Sequence, residues 1–484
     1  MNTKLLKQKI LDLAIRGKLT QQLKSDGTAA DLLKEICDRT QEKTSLRAKR
    51  GNPSPQTIIP LDKSEVPFEI PANWEWVRLN QITELIEDCP HSTACDEGAG
   101  YPLIRTPNIG FGHLILEGVH RVSEDVYRRR NLRATPQPND LIFAREAPAG
   151  NIAVIKDGQE VCLGQRTVLV RPLRNILCSY YLAYYILSSI SQKRLVECSG
   201  GSTVAHVNLS VFRSYEVPLP PLAEQQRIVA KIEEAFAEID AIEKNKELLK
   251  THIKQTRQKI LDLAIHGKLV PQNKSDEPAS VLLERITRDN PHYEKLIDIP
   301  FGIPDSWEWV KLGNICTISS AKRVLKEDWK ETGIPFYRAR EIAQLANGEI
   351  VKDDLFITKE LYESLKDLYG VPQTGDILMS AVGTIGKTYI VNKDDCFYYK
   401  DASVICLKKK HADISSKYLK MLFSSNYLQK QMFANSNGTT VDTITISVAQ
   451  GYTIPFPPLA EQKRIVDKIE EIFASLDEIS LHLV

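Results

Sequence analysis

The sequence predicts an α+β protein: two mixed α/β domains separated by a long antiparallel coiled-coil pair of helices, arranged as a pseudo-two-fold circular repeat. Three observations predict this fold. Three sequence blocks occur twice in the same order, the regions between the blocks resemble each other weakly, and a heptad pattern begins within one of the blocks. At 484 residues the chain is also too long for a single ordinary core.

The repeated blocks form the framework of the chain. Each block is nearly unchanged in its second copy and the order is kept, which chance does not produce. The pairs are KILDLAIRGKL (9–19) with KILDLAIHGKL (259–269), IPANWEWVRL (70–79) with IPDSWEWVKL (303–312), and PLPPLAEQQRIVAKIEEAFAEID (218–240) with PFPPLAEQKRIVDKIEEIFASLD (455–477). Between the blocks only the framework repeats, as in NDLIFA (139–144) and GDILMS (375–380), while many polar side chains differ.

A long central helix, from Leu222 to His266, is predicted to begin within the third block. From Ile228 the apolar residues alternate at steps of four and three, a 3.5-residue period typical of a coiled-coil seam. The Pro-Pro pair at 220–221 marks the start of the helix and Gly267 its end. The seam residues are Ile228, Ile232, Ala235, Ile239, Ile242, Leu249, Ile253, Ile260 and Leu263, with Lys246 and Thr256 in the two polar positions.

The repeat is circular. By the spacing of the third block Val484 corresponds to Glu247, and by the spacing of the first block Met1 corresponds to Thr251. The C-terminal helix followed by the N-terminal helix therefore rebuilds an almost complete second central helix. We expect these two segments to stack end to end and to pack antiparallel on the central helix, with Met1 close to Val484.

The repeats divide the chain into five regions. The polar stretch 37–66 is predicted to be a solvated linker between the first two. The regions are an N-terminal helical region (1–36), a first variable domain (67–217), a central helical region (218–286), a second variable domain (300–454) and a C-terminal helix (455–484).

Composition argues against several classes of protein. The longest apolar stretch, YYLAYYIL (180–187), is far shorter than the ~20 residues of a membrane helix, and the N-terminus does not resemble a signal peptide. Nine cysteines without a CxxC pair indicate a reducing compartment, so a cytoplasmic protein is expected. The net charge of +1 argues against a generic DNA-coating protein, which is usually strongly basic.

The blocks PLPPLAEQQRIVAKIE and PFPPLAEQKRIVDKIE, each closing a variable domain, resemble the conserved regions of the specificity subunits of type I restriction–modification systems. The KILDLAI and WEWV segments are similar to that family too, and the resemblance covers essentially the whole chain. It implies two target-recognition domains, each reading one part of a split double-stranded DNA sequence. It also implies that this chain has no catalytic centre.

The resemblance further implies assembly with two methyltransferase subunits and two ATP-driven motor–nuclease subunits. The methyltransferases of this family use S-adenosylmethionine and typically methylate adenine N6. S-adenosylmethionine, ATP and Mg²⁺ are therefore expected in the partners, and no cofactor is expected in this chain. The exposed faces of the helices are the expected docking surface. The bases that are read do not transfer, because the recognition domains are the variable part of the family.

The candidate DNA-binding residues are cations, an amide and hydroxyls of the two variable domains. Arginine can grip guanine O6 and N7, asparagine can grip adenine, and cations and hydroxyls contact phosphate. Structural ion pairs, solvated loops and plain turns are the alternatives. The candidates are Arg105, Asn108, Arg121, Arg128, Arg129, Arg130, Arg133, Ser202 and Thr203 in the first domain, and Lys322, Arg323, Arg338, Arg340, Thr439 and Thr440 in the second.

Two other classes of function stay open at this point. A self-sufficient nucleotide- or cofactor-dependent enzyme could use GTIGK (383–387), which resembles the end of a P-loop, or NPHY (290–293), which resembles a methyltransferase loop. However, Ala381 stands where a P-loop needs glycine, so we predict a tight turn at 383–387. The third possibility is a coiled-coil scaffold without DNA specificity. Cys89, His91 and Cys95 lack a fourth metal ligand, so we interpret these cysteines as free thiols.

Overall fold

The structure, a computed structural model, describes residues 2–34, 61, 66–146, 148–197, 206–288, 296, 299–352, 354–434 and 442–483. The chain forms two compact units, Met1–Asn245 and Lys246–Val484, which we call the first and the second unit. Their boundary lies inside the predicted central helical region. Each unit therefore contains one of the two predicted recognition domains together with its helical segments.

The described strands form three matched pairs of sheets, one sheet of each pair in each unit. The first unit has an antiparallel pair, a five-stranded sheet and a three-stranded sheet. In spatial order their strands are Glu75–Arg78 with Glu216–Leu219; Thr83–Asp88, Thr167–Pro172, Leu141–Ala144, Ile152–Val154 and Gly112–His113; and Arg121–Val122, Tyr101–Ile104 and Cys162–Leu163.

The second unit repeats this layout with a four-stranded central sheet. Its sheets are Glu308–Lys311 with Thr453–Phe456; Cys316–Ser320, Val404–Lys409, Ile377–Ser380 and Thr388–Ile390; and Phe356–Ile357, Ile334–Tyr337 and Tyr398–Tyr399. In both three-stranded sheets the middle strand pairs with one neighbour antiparallel and with the other parallel. The registers therefore identify equivalent residues even where the side chains differ.

Helices cover the sheets and close each unit. Residues 29–34 are also helical. The α-helices are Thr3–Ala14, Glu124–Arg130, Ser179–Leu187, Ser189–Glu197, Leu209–Arg213, Leu222–Ile265, Ala279–Thr287, Leu312–Ile315, Ala339–Ala346, Lys359–Tyr369, Ser416–Ser424, Asn426–Phe433, Ile446–Gln450 and Leu459–Leu481, and the 3₁₀ helices are Lys24–Asp26, Leu79–Gln81, Thr106–Asn108 and Lys326–Asp328. We call Thr3–Ala14 the N-terminal helix, Leu222–Ile265 the central helix and Leu459–Leu481 the C-terminal helix.

A helical pair is present in each unit. In the first unit the N-terminal helix packs antiparallel on the first part of the central helix, where Thr3 bonds to Glu243 and Lys7 forms an ion pair with Asp240. In the second unit Arg257 of the central helix forms the equivalent ion pair with Asp477 of the C-terminal helix. The N-terminal helix thus has the same place in its unit as the second part of the central helix has in the other.

The seam is confirmed over most of its length. Ile232, Ile239 and Ile253 are buried, as the 3.5-residue period predicts. The prediction is wrong at Ile242 and Leu249, which are 51% and 39% exposed. The N-terminal helix begins at Thr3, which contacts Glu243. The helical pair of the first unit therefore ends beside Ile242, which is left partly exposed to solvent. The predicted Met1–Val484 contact and the linker 37–66, except residues 61 and 66, lie outside the described residues.

Glycines end two equivalent helices. Gly17 and Gly267 both have φ +66°, and their backbone N–H groups bond to the carbonyls of Ala14 and Ala264. A Cβ on Gly17 would lie 2.3 Å from Pro71 Cγ, and one on Gly267 would meet its equivalent proline at 2.4 Å. This confirms Gly267 as the helix stop and explains why glycine stands at both positions.

A buried glutamate joins the three repeated blocks in the first unit. Glu224, fully buried at the start of the central helix, accepts hydrogen bonds from Trp74 Nε1 at 3.0 Å and from Gln22 Nε2 at 2.7 Å. One donor follows the first block and the other belongs to the second block. A desolvated carboxylate needs such donors, so the three blocks are tied together at one point.

The second unit has the same connection. Its buried Glu461 accepts from Trp307 Nε1 at 2.9 Å and from Gln272 Nε2. Burial raises the pKa of Glu461, and the hydrogen bonds from Trp307 and Gln272 oppose that shift. We call these two sets of three residues the glutamate hubs. They give a physical reason for the repetition of Gln, Trp and Glu in both copies.

Candidate nucleic-acid interface

The strand register confirms that Arg105 and Arg338 are equivalent. Each residue directly follows the middle strand of a three-stranded sheet and begins a short helix. Arg105 is half-buried beside Gly164, and its Nε is buried without a hydrogen-bond partner among the described residues. The guanidinium of Arg338 instead donates to Glu341 and to Asp354 Oδ1 at 2.7 Å. The two arginines occupy equivalent positions, but the guanidinium of Arg338 is already bound by carboxylates, whereas Arg105 Nε has no partner among the described residues.

Asn108 and Glu341 are also equivalent, and both cap their helix. Asn108 Oδ1 accepts from the backbone N–H of Arg105 at 3.1 Å, and Glu341 Oε2 accepts from that of Arg338 at 2.8 Å. Asn108 is buried and its amide nitrogen donates to the carbonyl of Ile115. Both ends of this amide are therefore used by the fold, and the predicted DNA contact of Asn108 stays a prediction.

The predicted arginine cluster lies on and around the helix Glu124–Arg130. Arg128 is exposed and pairs with Glu124 on the same helix, while Arg129 donates to the carbonyl of Asp125. Arg133 lies 3.3 Å from Glu87, and Arg121 donates to the carbonyl of Gly100. These four arginines are accessible enough for phosphate contact, which stays a prediction. Surface ion pairs of this kind contribute little to stability.

Arg130 differs from the other members of the cluster. It is buried and donates to the carbonyls of Leu163, Ser92 and Pro90 at 2.7, 3.0 and 3.3 Å. Burial lowers the pKa of this guanidinium. Phosphate contact does not fit Arg130, because its guanidinium is buried and its donors bind three backbone carbonyls.

In the second unit Lys322 and Arg323 are exposed after the strand Cys316–Ser320. The ammonium of Lys322 lies 5.1 Å from the centre of the Tyr369 ring, which is a cation–π distance. Ser202, Thr203, Thr439 and Thr440 lie outside the described residues, so their predicted phosphate contacts stay predictions.

Arg340 extends a charged network in the second unit. Its guanidinium lies 2.8 Å from Glu341 and 2.7 Å from Asp354, beside a cavity of about 380 Å³ that Val382 and Thr384 also line. The hydrogen bond from Arg340 holds the pKa of the Asp354 carboxyl below its usual value. Burial alone would raise the pKa of Glu341, but hydrogen bonds from Arg338, the backbone and Arg340 lower it. Both carboxylates of the network are thus bound by Arg338 and by Arg340.

Sequence reasoning missed a second charged network, in the first unit. Arg145 follows the strand Leu141–Ala144 and connects Asp88 to His206, and Glu146 connects His206 to Arg166. These residues are scattered along the sequence, so no local motif marks them. A usable signal was the matched segment NDLIFA/GDILMS, directly after which Arg145 and Glu146 replace Ala381 and Val382.

The segment GTIGK (383–387) forms a turn, as predicted. Gly383 and Gly386 have φ +77° and +78°, and the strand Thr388–Ile390 follows. A P-loop opens a helix onto phosphate groups, so this segment has the wrong context for that role. The segment NPHY (290–293) lies outside the described residues.

Across the described part of the chain, no three or more His, Cys, Asp and Glu side chains group together as metal ligands. Cys89 is a buried free thiol and Cys95 an exposed one. None of the described helices is long and apolar enough to cross a membrane.

Comparison with known proteins identifies the family that has this architecture. The family model of the type I restriction modification DNA specificity domain matches residues 71–251 and 304–481, most of the chain. The chain belongs to this family. The predicted membership among type I specificity subunits is confirmed, and with it the α+β architecture of two recognition domains and long helices. Membership in a family of specificity subunits also supports the expectation that the chain is not itself an enzyme.

Individual relatives agree with the family match. The EcoAI specificity subunit of Escherichia coli is 25% identical over 547 residues, covering 98% of this chain and 90% of that protein. The EcoEI specificity subunit of Escherichia coli is 25% identical over 564 residues, with 99% and 90% covered. The crystal structure of the HsdS subunit from Thermoanaerobacter tengcongensis has a TM-score of 0.54 at 19% identity, over 87% of this chain and 94% of that chain, which supports the fold.

Proposed function

We propose that this type I specificity subunit recognises a bipartite DNA sequence, with each unit reading one half. One observation carries the proposal: the two units share their hubs and sheets but place their charged networks at different framework positions. Direct readout needs specific donors and acceptors at base edges, whereas the scaffold only positions them. One scaffold with two different polar surfaces suits two different half-sites.

We further propose that two methyltransferase subunits dock on the repeated helical surface. In the first unit a groove of about 470 Å³ is lined by Leu19, Leu23 and Ala230, beside the ion pair of Lys231 with Glu234. The second unit repeats the edge of this surface with the pair of Lys468 and Glu471, at 2.8 Å. A surface that occurs twice suits two copies of one partner.

The docking proposal is tested by substitutions that fill the groove. Ala230 and Asp467 are equivalent exposed residues on their helices. We expect Ala230→Arg or Asp467→Arg to reduce the number of bound methyltransferase subunits from two to one, and the double variant to bind none, as measured by native mass spectrometry. Two bound subunits in the double variant would contradict the proposal. Thr251→Arg, outside the groove, is the control.

The chemistry of the complex is assigned to the partners. In this proposal the methyltransferase subunits bind S-adenosylmethionine and methylate adenine N6, and two motor–nuclease subunits use ATP and Mg²⁺. The specificity chain contributes recognition and assembly, in line with its membership in a family of specificity domains.

Mapping methylated adenines tests the proposed function. Cells that express this chain with its methyltransferase subunit should methylate one bipartite motif with a fixed spacer, and cells with the methyltransferase alone should not. Methylation of a contiguous motif, or of the same sites without this chain, would contradict the proposal. Competition between the mapped duplex and unrelated duplexes at fixed salt separates specific binding from general phosphate contact.

A further inference from the structure

The charged network of the first unit begins at an arginine that makes three hydrogen bonds. Arg145 donates from Nη1 to Asp88 at 2.8 Å, and its Nε donates to the carbonyl of Val207 at 3.2 Å. The side chains of Arg145 and Asp88 are only 14% and 15% exposed. Its Nη2 lies 3.0 Å from His206 Nε2. Arg145 is thus fixed from three directions.

The contacts of His206 define its tautomer. A guanidinium can only donate, so His206 Nε2 accepts from Arg145. Nδ1 then carries the proton and donates to Glu146 Oε1 at 2.6 Å. The imidazole therefore links Arg145 to Glu146, and both of its ring nitrogens are hydrogen-bonded.

The network ends at an exposed arginine. Glu146 Oε2 lies 2.9 Å from Nε of Arg166, whose side chain is 62% exposed. The terminal nitrogens of Arg166 make no hydrogen bond to any described residue. Arg166 lines a cavity of about 280 Å³ together with His91 and Gln165. The planar guanidinium of Arg166 is thus paired with Glu146 at Nε, while its terminal nitrogens have no partner among the described residues.

The fold does not require these charges. The strand registers and the matching backbone bonds pair each network residue with a neutral residue of the second unit. Asp88, Arg145, Glu146, Arg166 and His206 correspond to Ser320, Ala381, Val382, Ser403 and Thr443. The same sheet closes without them, so structural need is a poor explanation for five matched polar residues in the first unit.

We propose that Arg166 reads a guanine of the half-site bound by the first unit, through guanine O6 and N7, and that Arg145, His206 and Glu146 are its positioning residues. This inference rests on the proposed function and deepens it. Bidentate contact with guanine requires a guanidinium in a fixed plane, and a supporting layer of bonded side chains provides this. A phosphate contact needs no such layer, because a flexible cation satisfies it.

The test uses the assembled complex of this chain with its methyltransferase subunits. Binding is measured for the mapped duplex and for duplexes with each base pair of the first half changed in turn. We expect Arg166→Ala to weaken binding of the mapped duplex about 10- to 100-fold and to remove discrimination at a single G·C pair. Glu146→Gln should reduce discrimination at the same base pair by a smaller factor.

The chain offers a matched control. Arg174 lies beyond the opposite end of the strand that begins next to Arg166, and among the described residues it donates to Gln137 and Pro138. Arg174→Ala removes the same charge from the same unit and should leave the discrimination unchanged. Arg166→Lys keeps the charge without the planar fork, so it should fold normally and still lose discrimination at that pair. Melting temperatures of all variants verify folding.

Three results would overturn the assignment: unchanged discrimination by Arg166→Ala, a first half-site without guanine, or equal loss for all duplexes with a shallower salt dependence. The last result would assign Arg166 to phosphate. If the unmodified complex prefers no duplex, the proposed function fails instead. Preference by the unmodified complex with intact discrimination in the folded Arg166 variants contradicts this inference alone.

Discussion

The two units differ most where their side chains reach the surface and least where three blocks meet inside. Glu224 and Glu461 are buried in equivalent hubs with the same tryptophan and glutamine donors. The charged networks, by contrast, use different positions: Arg145 in the first unit corresponds to Ala381, and Arg340 in the second corresponds to Pro107. The hub is kept because a buried carboxylate loses stability with each lost donor, while the ends of the sheets accept both charged and neutral side chains.

This comparison indicates that recognition and framework are separate properties of the chain. Charges at sheet ends can change without touching the core, since the second unit closes the same sheet with small neutral residues. A change in one unit has no required counterpart in the other. We therefore expect each half of the recognised sequence to change independently of the other.

Exchanging one recognition domain should have the largest effect. Replacing residues 67–217 by the corresponding domain of a related subunit should change one half of the methylated motif completely and leave the other half and the hubs unchanged. Sequencing of methylated adenines measures both halves at once. A change of both halves in an assembled complex would contradict independent reading.

Removing a hub glutamate should destabilise its unit. Glu224→Ala leaves the buried Trp74 Nε1 without its acceptor. It also removes one acceptor from Gln22 Nε2, which keeps its bond to the carbonyl of Gly17, and the carboxylate that lies 3.2 Å from Asn73 Nδ2. We expect a loss of about 2–4 kcal/mol in the free energy of unfolding. Glu461→Ala should cost somewhat less, because two side chains donate to it. Urea denaturation measures both.

Substitution of Glu461 by glutamine tests the contribution of its ionisation to stability. Because burial raises the pKa of Glu461, its contribution is fully present below the unfolded-state pKa and declines as the pH rises through the raised value. Glu461→Gln should therefore reduce the dependence of stability on pH in that window. Equal stability of Glu224→Ala and the unmodified chain would show that the hub is not needed.

The sequence predicted the framework better than the interface, and the reason is physical. Repeats and the 3.5-residue period report buried contacts, so Ile232, Ile239 and Gly267 could be placed from sequence. Counting arginines cannot show which one turns inward: Arg130 is buried although its neighbours on the helix are exposed. The network around Arg145 requires the sheet that brings distant segments together.

The two equivalent arginines should differ in their contribution to binding. Arg105→Ala should weaken specific binding by about 1–3 kcal/mol and relax one half-site if Arg105 contacts a base. Arg338→Ala should have a smaller effect, because Glu341 and Asp354 already bind its guanidinium. A loss that is uniform across sequences would reassign Arg105 to phosphate. A lowered melting temperature without loss of binding would make it structural.

Circular permutation should have the smallest effect of all. It tests whether the two units are copies of one closed repeat. The N-terminal helix pairs with the central helix through Lys7 and Asp240, and the second part of the central helix pairs with the C-terminal helix through Arg257 and Asp477. In the circular repeat predicted from the sequence, the C-terminal and N-terminal helices together correspond to the continuous central helix. If the break between these two helices is only a cut in a closed repeat, its position is exchangeable. A short linker from Val484 to Met1, with new termini between residues 37 and 66, should preserve folding and the methylated motif. Linkers of increasing length give the control, because a short linker suffices only if the two ends are close. A permutant that folds only with a long linker would contradict the predicted stacking of the terminal helices.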